Sequence, residues 1–209
     1  MADRKLVVGG AFAAALLLVA GAFVLQRGSE TETFAGCRSG VVAGGSGALG
    51  TEFTLTDENG DRVTDAQVFD KPSLLYMGYT FCPDVCPMDN ARNAEAVTLL
   101  EERRIEVKPV FISVDPRRDT PDQLKSFTDA MHPRMLGLTG TTEEIDQVAK
   151  AWRFYYKLND EEDQQDYLVD HMTTTFLVLP GHGTVDFFGR DVTPDQMAEK
   201  VACYVNAAS

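Results

Sequence analysis

The fold is decided by the stretch Ser73–Pro87, which reads SLLYMGYTFCPDVCP. Its first six residues, Ser73–Gly78, form a short apolar run that predicts a buried strand. The segment Met88–Arg104 follows with apolar side chains about every three positions, which predicts a helix. Cys82 and Cys86 therefore lie in a turn between a strand and the mouth of a helix, where α/β sheets place their ligands.

Two kinds of chemistry are open to the cysteines of this turn. The positive potential at a helix N-terminus favours a thiolate, so we expect at least one cysteine to have a lowered thiol pKa. The spacing permits a disulfide that only holds the loop, a common state of exported cysteine pairs. The same spacing also lets both sulfur atoms turn toward one metal ion. Spacing alone does not decide between these readings, whereas the position at the turn favours a functional pair.

Further strands and helices are predicted on both sides of this turn. The pattern Thr-Pro-Asp-Gln occurs at Thr120 and again at Thr193, and each copy is a helix-start signature with proline at the first helical position. Pro109 favours an edge or bulged position for the strand that contains it. The predicted strands are Glu52–Thr56, Arg62–Thr64, Val107–Val114, Phe154–Lys157, Thr174–Leu179 and Thr184–Phe188, and the predicted helices are Thr120–Met131, Glu143–Trp152 and a last one that begins at Thr193.

The order of these elements predicts the fold class. A β-α-β unit is followed by a β-β-α unit, which is the order of a thioredoxin-like α/β fold. We therefore expect a mixed central sheet that is flanked by helices. The globular domain is predicted to cover residues 51–209.

The N-terminal part of the chain predicts a membrane anchor. No charged residue occurs from Leu6 to Leu25, and a helix of that length spans roughly 30 Å, the thickness of a bilayer's hydrocarbon core. Arg4 and Lys5 precede it, so the positive-inside rule leaves residues 1–5 in the cytoplasm and exports the rest. A cleaved signal peptide is the alternative, but its apolar region is usually shorter.

These features predict a single-pass protein of the inner (cytoplasmic) membrane. Its anchor covers residues 6–26, and its globular domain lies in the periplasm or an equivalent oxidising compartment. Residues 27–50 are predicted to be a flexible tether, because residues 40–50 are rich in glycine.

Composition excludes several classes of function. The 209 residues include 19 Lys plus Arg and 32 Asp plus Glu, which gives a formal net charge of −13. Phosphate binding needs clustered basic residues, so a nucleic-acid partner is not expected. Four cysteines are too few for a disulfide-stapled miniprotein.

One of the three histidines is a candidate metal ligand. His171 comes just before a predicted apolar strand, and in a thioredoxin-like order this segment faces the cysteine turn. Asp170 is a candidate for orienting the imidazole. Two thiolates and one imidazole form a set that suits copper, and zinc less specifically. A structural zinc site prefers four protein ligands, and no fourth cysteine or histidine is placed to supply one.

Four segments closely resemble the Sco/SenC family of copper chaperones for cytochrome c oxidase assembly. The resemblance covers roughly residues 51–206, and the segments occur in family order. Met88 and Asp89 depart locally from the family pattern. The matching segments are Gly78–Pro87 (GYTFCPDVCP), Val114–Pro121 (VDPRRDTP), Leu138–Gly140 (LTG) and Tyr167–His171 (YLVDH).

The resemblance implies a thioredoxin fold in which Cys82, Cys86 and His171 bind one Cu(I) or Cu(II). It further implies delivery of copper to, or thiol reduction at, the dinuclear copper (CuA) site of cytochrome c oxidase subunit II. A chaperone of this kind receives its metal from a periplasmic copper donor and is held at the membrane by its N-terminal helix.

The alternative function is a periplasmic thiol–disulfide oxidoreductase or redox sensor that uses Cys82 and Cys86. A thioredoxin-like reductase normally has two residues between its cysteines and a cis-proline facing them. Here three residues intervene, and the segment Met172–Thr175 contains no proline. The residues thus favour metal transfer over catalysis, with reductase activity left open. A peroxidase of the same fold finds little support.

Two cysteines remain outside this candidate pair. The four cysteines allow three pairings, and the sequence does not choose among them. With Cys82 and Cys86 favoured as the functional pair, Cys37 and Cys203 are left as a candidate structural bridge.

Overall fold

The computed structural model describes residues 33–38, 49–159 and 166–209. The predicted cytoplasmic N-terminus (1–5) and anchor (6–26) lie outside the described residues. Among the residues described, no helix is long and apolar enough to cross a bilayer.

Within the described residues the chain alternates between strands and helices. The helices are α1 (Asp65–Val68), α2 (Val85–Glu102), α3 (Pro121–Met131), α4 (Thr142–Ala151) and α5 (Pro194–Ala208). The strands are β1 (Thr54–Asp57), β2 (Arg62–Thr64), β3 (Ser73–Gly78), β4 (Lys108–Ser113), β5 (Leu136–Thr139), β6 (Tyr156–Leu158), β7 (Val169–His171), β8 (Thr175–Leu179) and β9 (Gly183–Phe188).

The central sheet is mixed and has the strand order β2-β1-β5-β4-β3-β8-β9. Strands β3, β4 and β5 are parallel, whereas β1 and β8 run antiparallel to their neighbours β5 and β3. The short strands β6 and β7 form a separate antiparallel hairpin. The predicted mixed sheet with flanking helices is thus confirmed, and its parallel centre directs the turn after β3 into the start of α2.

The helix starts follow the sequence signals closely. The Thr120 hydroxyl accepts a hydrogen bond from the Gln123 backbone N–H, and the Thr193 hydroxyl accepts one from Gln196, each at 3.3 Å. These bonds satisfy backbone donors that have no partner inside the first helical turn. They begin α3 and α5 where the repeated Thr-Pro-Asp-Gln pattern predicts.

Strand β4 lies inside the sheet, so the edge position predicted from Pro109 is wrong. The Lys108 N–H donates to the Pro72 carbonyl on the β3 side at 2.8 Å. Since alternate residues of a strand point their N–H groups in opposite directions, position 109 faces β5. Strand β5 pairs with β4 only from Val110 onward, so the missing N–H of Pro109 costs no ladder bond.

Two hydrophobic clusters hold the layers together. One cluster contains Tyr76, Cys86 and Phe111 and surrounds the inner part of the cysteine turn. The other joins α2, α5, β8 and β9 through residues such as Val97 and Val201. The helix that carries Cys86 is therefore buried against both the sheet and α5.

Part of the predicted tether packs on the domain. Phe34 is 2% exposed, and its ring contacts the rings of Tyr204 and His182 at centroid distances of 5.3 and 5.2 Å. A disulfide joins Cys37 to Cys203 in α5 across 166 positions of sequence, which confirms the candidate bridge. The described residues 33–38 thus belong with the folded domain.

Candidate metal centre

Cys82 and Cys86 lie side by side where β3 leads into α2. Cys86 is in the first turn of the helix, and its backbone N–H donates to the Cys82 sulfur at 3.4 Å. Both side chains are buried, and neither is bonded to another cysteine. The two sulfur atoms are therefore free to act on a common ligand.

His171 approaches the cysteines from the β6–β7 hairpin. The sequence predicts only that the segment containing His171 faces the cysteine turn. In the structure this segment forms strand β7, in which His171 pairs with Tyr156 of β6. The His171 Nδ1 atom is 2.7 Å from the Met172 carbonyl oxygen. Because a carbonyl can only accept, this bond places the ring proton on Nδ1 and leaves the Nε2 lone pair free. Nε2 lies 3.3 Å from the Cys86 sulfur.

The side chains of Cys82, Cys86 and His171 form a group that could bind one copper ion. Their ligand atoms all lie within 4.8 Å of one another. Bonds of about 2.0–2.3 Å at trigonal angles put ligand atoms roughly 3.5–4 Å apart, so a small closing movement completes a site. Two soft sulfurs and one imidazole nitrogen fit Cu(I) well. In the part of the chain that the structure describes, this is the one group of three or more His, Cys, Asp or Glu side chains whose ligand atoms lie close enough together to share a metal ion.

Burial has a larger effect on the thiol pKa of Cys86 than the helix N-terminus has. Desolvation raises the pKa of Cys86, because the charged thiolate loses water in this fully buried position. The predicted lowering of the thiol pKa is therefore wrong for Cys86. Desolvation likewise lowers the pKa of His171, so the imidazole is held neutral, as a metal ligand requires.

Asp170 does not orient the imidazole. Neighbouring residues of a strand point to opposite faces, and the Asp170 side chain is exposed while its neighbour turns toward the cysteines. The backbone carbonyl of Met172 takes the orienting position that the sequence assigned to Asp170.

The segment Asp115–Thr120 secures the loop that leads to Cys82. Asp119 is fully buried and accepts hydrogen bonds from the Thr80 backbone N–H at 2.9 Å and the Thr80 hydroxyl at 2.6 Å. Arg118 pairs with buried Asp115 at 2.5 Å and lies over the Tyr167 ring at 3.6 Å. These contacts connect the cysteine loop to the residues that lead into β7, so both sides of the metal centre share one support.

Sequence reasoning missed three residues that shape the inner wall of the centre. A side-chain carbon on Gly78 would come within 2.8 Å of the Cys86 sulfur, so only glycine fits without a shift. The hydroxyl of Tyr76 donates to Asp89 at 3.0 Å, and both residues are buried. The signal available in the sequence was Asp89, an acidic residue that lies three positions after Cys86 in the predicted helix.

Five exposed hydrophobic side chains lie on the segments that carry the cysteines and His171, or on the strand segment paired with them. Tyr155 is linked to Met172 by hydrogen bonds from its backbone N–H to the Met172 sulfur and from Met172 N–H to its carbonyl. Phe187, on edge strand β9, lies on none of these segments. Among the described residues, the exposed large hydrophobics are Phe81, Met88, Tyr155, Leu168, Met172 and Phe187.

The family profile described as SCO1/SenC matches residues 42–206 of the chain. The chain belongs to the SCO1/SenC family. Protein SenC of Rhodobacter capsulatus is 50% identical over 196 residues, which cover 93% of this chain and 88% of SenC. The crystal structure of Arabidopsis thaliana ScoI with copper bound is 40% identical, with a TM-score of 0.72, and the match covers 76% of this chain and 99% of that one.

A third relative connects the Sco family with cytochrome c oxidase assembly. The structure of BsSco, described as a member of the Sco family of cytochrome c oxidase assembly proteins with a disulfide switch, is 26% identical with a TM-score of 0.60. The match covers 76% of this chain and 94% of BsSco. The chain spans about half the length of curated mitochondrial relatives, 47% and 54% in two cases. The thioredoxin-like fold of the family is the one seen here.

Proposed function

We propose that this protein is a membrane-anchored copper chaperone that delivers copper to, or prepares the cysteines of, the CuA site of cytochrome c oxidase subunit II. Cys82, Cys86 and His171 hold one copper ion as cargo. The anchor at residues 6–26 keeps the domain on the periplasmic side of the inner membrane, where a copper donor loads it.

The observation that carries this proposal is the convergence of the three ligand atoms. Cys86 and His171 are 85 positions apart in sequence, yet their Sγ and Nε2 atoms lie 3.3 Å from each other. A disulfide that merely holds a loop needs no imidazole at its sulfur. Three ligands leave copper accessible to a ligand from another protein, so the ion can pass on by ligand exchange.

Copper transfer to a subunit II domain tests the proposal. The full-length protein in detergent is reduced, loaded anaerobically with Cu(I), and mixed with the soluble CuA domain of subunit II, prepared once with its cysteines as thiols and once as a disulfide. We expect one copper per chain before mixing and copper on the acceptor afterwards, measured by metal analysis after separation. Mass spectrometry of the acceptor cysteines reads thiol reduction in the same sample.

The outcomes separate the two candidate functions. Copper on the acceptor with unchanged Cys82 and Cys86 thiols supports delivery. New acceptor thiols matched by a Cys82–Cys86 disulfide, with the copper released to solution and none on the acceptor, support the oxidoreductase alternative. Two adjacent unbonded thiols are the observation that favours it. If neither metal nor electrons move, both functions are contradicted.

Removing the imidazole should affect the two oxidation states of copper differently. Two thiolates alone can hold Cu(I), whereas Cu(II) requires the nitrogen ligand. In His171→Ala we expect the affinity for Cu(II) to fall by about 10²–10³-fold, the effect of losing one ligand, and that for Cu(I) by about tenfold or less. Competition titrations and the thiolate-to-Cu(II) absorption band measure both. His182→Ala, a histidine beside Phe34, is the matched control and should change neither. An undiminished Cu(II) band in His171→Ala contradicts the ligand assignment.

The exposed hydrophobic side chains on the cysteine and His171 segments and on the paired strand segment, here called the rim, should matter for transfer but not for copper binding. The rim consists of Phe81, Met88, Tyr155, Leu168 and Met172. Buried apolar contacts between partners commonly contribute on the order of 1–2 kcal/mol each. We expect Phe81→Ser combined with Leu168→Ser to slow copper transfer about tenfold and to leave copper affinity within about twofold. Phe187→Ser is the control for loss of an exposed hydrophobic side chain. Equal transfer rates in all three proteins would remove the rim from the docking surface.

A further inference from the structure

The carboxylate of Asp89 is buried directly behind the metal centre. Asp89 lies one turn after Cys86 in α2 and is 3% exposed. Its Oδ2 accepts the hydrogen bond from the Tyr76 hydroxyl at 3.0 Å, and its Oδ1 accepts one from Arg190 Nε at 3.1 Å. Arg190 follows β9 in the chain and forms an ion pair with this buried carboxylate. The two hydrogen bonds therefore hold the Asp89 carboxyl group in a fixed orientation, with both oxygen atoms as acceptors.

Tyr76 lies between this carboxylate and the ligands. Its ring stands edge-on to the His171 ring at a centroid distance of 6.3 Å. A side-chain carbon on Gly78 would lie 2.8 Å from the Cys86 sulfur and 2.9 Å from Tyr76 Cε1, so the hydroxyl-bearing end of the Tyr76 ring borders the Cys86 thiol. Burial raises the pKa of Tyr76, so the hydroxyl keeps its proton. The Asp89 carboxylate accepts this proton, and the Cys86 sulfur is the neighbouring acceptor to which the hydroxyl can turn when the carboxylate is removed.

We propose that Asp89 is a positioning residue that directs the Tyr76 hydroxyl proton away from Cys86 and so sets the balance between Cu(II) and Cu(I) at the centre. The proposal rests on the assignment of Cys86 as a copper ligand. A carboxylate is a stronger hydrogen-bond acceptor than a neutral thiol or a metal-bound thiolate, and it keeps the proton. The Cys86 sulfur then donates its full electron density to the metal.

The expected effect follows from the chemistry of the sulfur. A hydrogen bond to a cysteine sulfur weakens its donation to copper, and such bonds tune the potential of copper–thiolate sites. Without Asp89, the Tyr76 hydroxyl is free to donate to Cys86. This change lowers the affinity for Cu(II) relative to Cu(I) and moves the thiolate-to-Cu(II) absorption band to higher energy.

A double-mutant cycle in the full-length protein tests the route through Tyr76. The variants are Asp89→Ala, Tyr76→Phe, the pair together, and Glu95→Ala as a control that removes an exposed acid from the same helix. In Asp89→Ala we expect the ratio of Cu(II) to Cu(I) affinity to fall about two- to tenfold, the effect of one hydrogen bond. In the Tyr76→Phe background, removing Asp89 should change the ratio by less than about twofold.

A second readout needs no copper. The metal-free proteins are equilibrated with mixtures of reduced and oxidised dithiothreitol, and the fraction of Cys82–Cys86 disulfide is measured. A hydrogen bond from Tyr76 stabilises the reduced cysteine, so Asp89→Ala should shift the equilibrium toward the dithiol about two- to tenfold, again only when Tyr76 is present.

The two readouts separate this proposal from the function on which it rests. A wild-type protein that takes up no copper contradicts the chaperone function, while the dithiol equilibrium still tests the positioning. Shifts of equal size with and without the Tyr76→Phe substitution, or no shift in Asp89→Ala, overturn the role of Asp89 through Tyr76. Matching effects of Glu95→Ala would mean that any lost acid acts by its charge alone, which also overturns it.

Discussion

Replacing Cys86 with alanine is expected to lower the affinity for Cu(I) by about 10²–10³-fold. Binding of a metal ion by four protein ligands contributes roughly 10–16 kcal/mol, which is about 2.5–4 kcal/mol for each ligand. With three ligands in the cluster, the remaining thiolate and imidazole leave a weak two-coordinate site. Competition with a Cu(I) chelator of known affinity, under anaerobic conditions, measures the loss. Cys82→Ala should behave in the same way.

The matched control is Val85→Ala, the neighbouring position in the first turn of α2. Val85 is partly buried and offers no ligand atom, so this variant reports any disturbance of the helix start without loss of a sulfur. Thermal unfolding of both variants shows that each is folded. If Cys86→Ala keeps wild-type affinity for Cu(I), the ion is held elsewhere and the proposed centre is wrong.

The sequence predicts the metal centre well because its signals are local. A buried strand, a turn with two cysteines and a helix start are consecutive in the chain, and their order requires the cysteines to lie at the end of β3. The imidazole could be placed because the thioredoxin-like order brings the segment before β8 to the same end. The structure therefore brings together the three predicted residues.

What the sequence could not predict depends on contacts between distant residues. Strand β5 has only four residues and is defined by its neighbours β1 and β4, so no pattern of its own revealed it. The high pKa of Cys86 results from the surrounding core, which outweighs the helix N-terminus. The bond between Tyr76 and Asp89 joins a strand to a helix and leaves no periodic signal.

Loss of the disulfide between Cys37 and Cys203 should destabilise the domain by about 3–5 kcal/mol. The bond closes a loop of 166 positions, for which chain entropy gives about 5 kcal/mol, and removal of native disulfides commonly costs about 2–5 kcal/mol. Releasing Cys37 also frees the segment that carries Phe34 from its contacts with Tyr204 and His182. Urea unfolding of residues 27–209 with Cys37→Ser and Cys203→Ser measures the change.

The measurement is cleanest where only this disulfide responds to reductant. In a background with Cys82→Ala and Cys86→Ala, dithiothreitol should lower the stability of the protein to that of the variant without Cys37 and Cys203. The same reductant should leave that variant unchanged, which separates the bond from general effects of the additive. Equal stability with and without the disulfide, within about 0.5 kcal/mol, would mean that the contacts of Phe34 alone hold this segment on α5. The expected loss of about 3–5 kcal/mol would instead make the disulfide the main link between residues 33–38 and the domain.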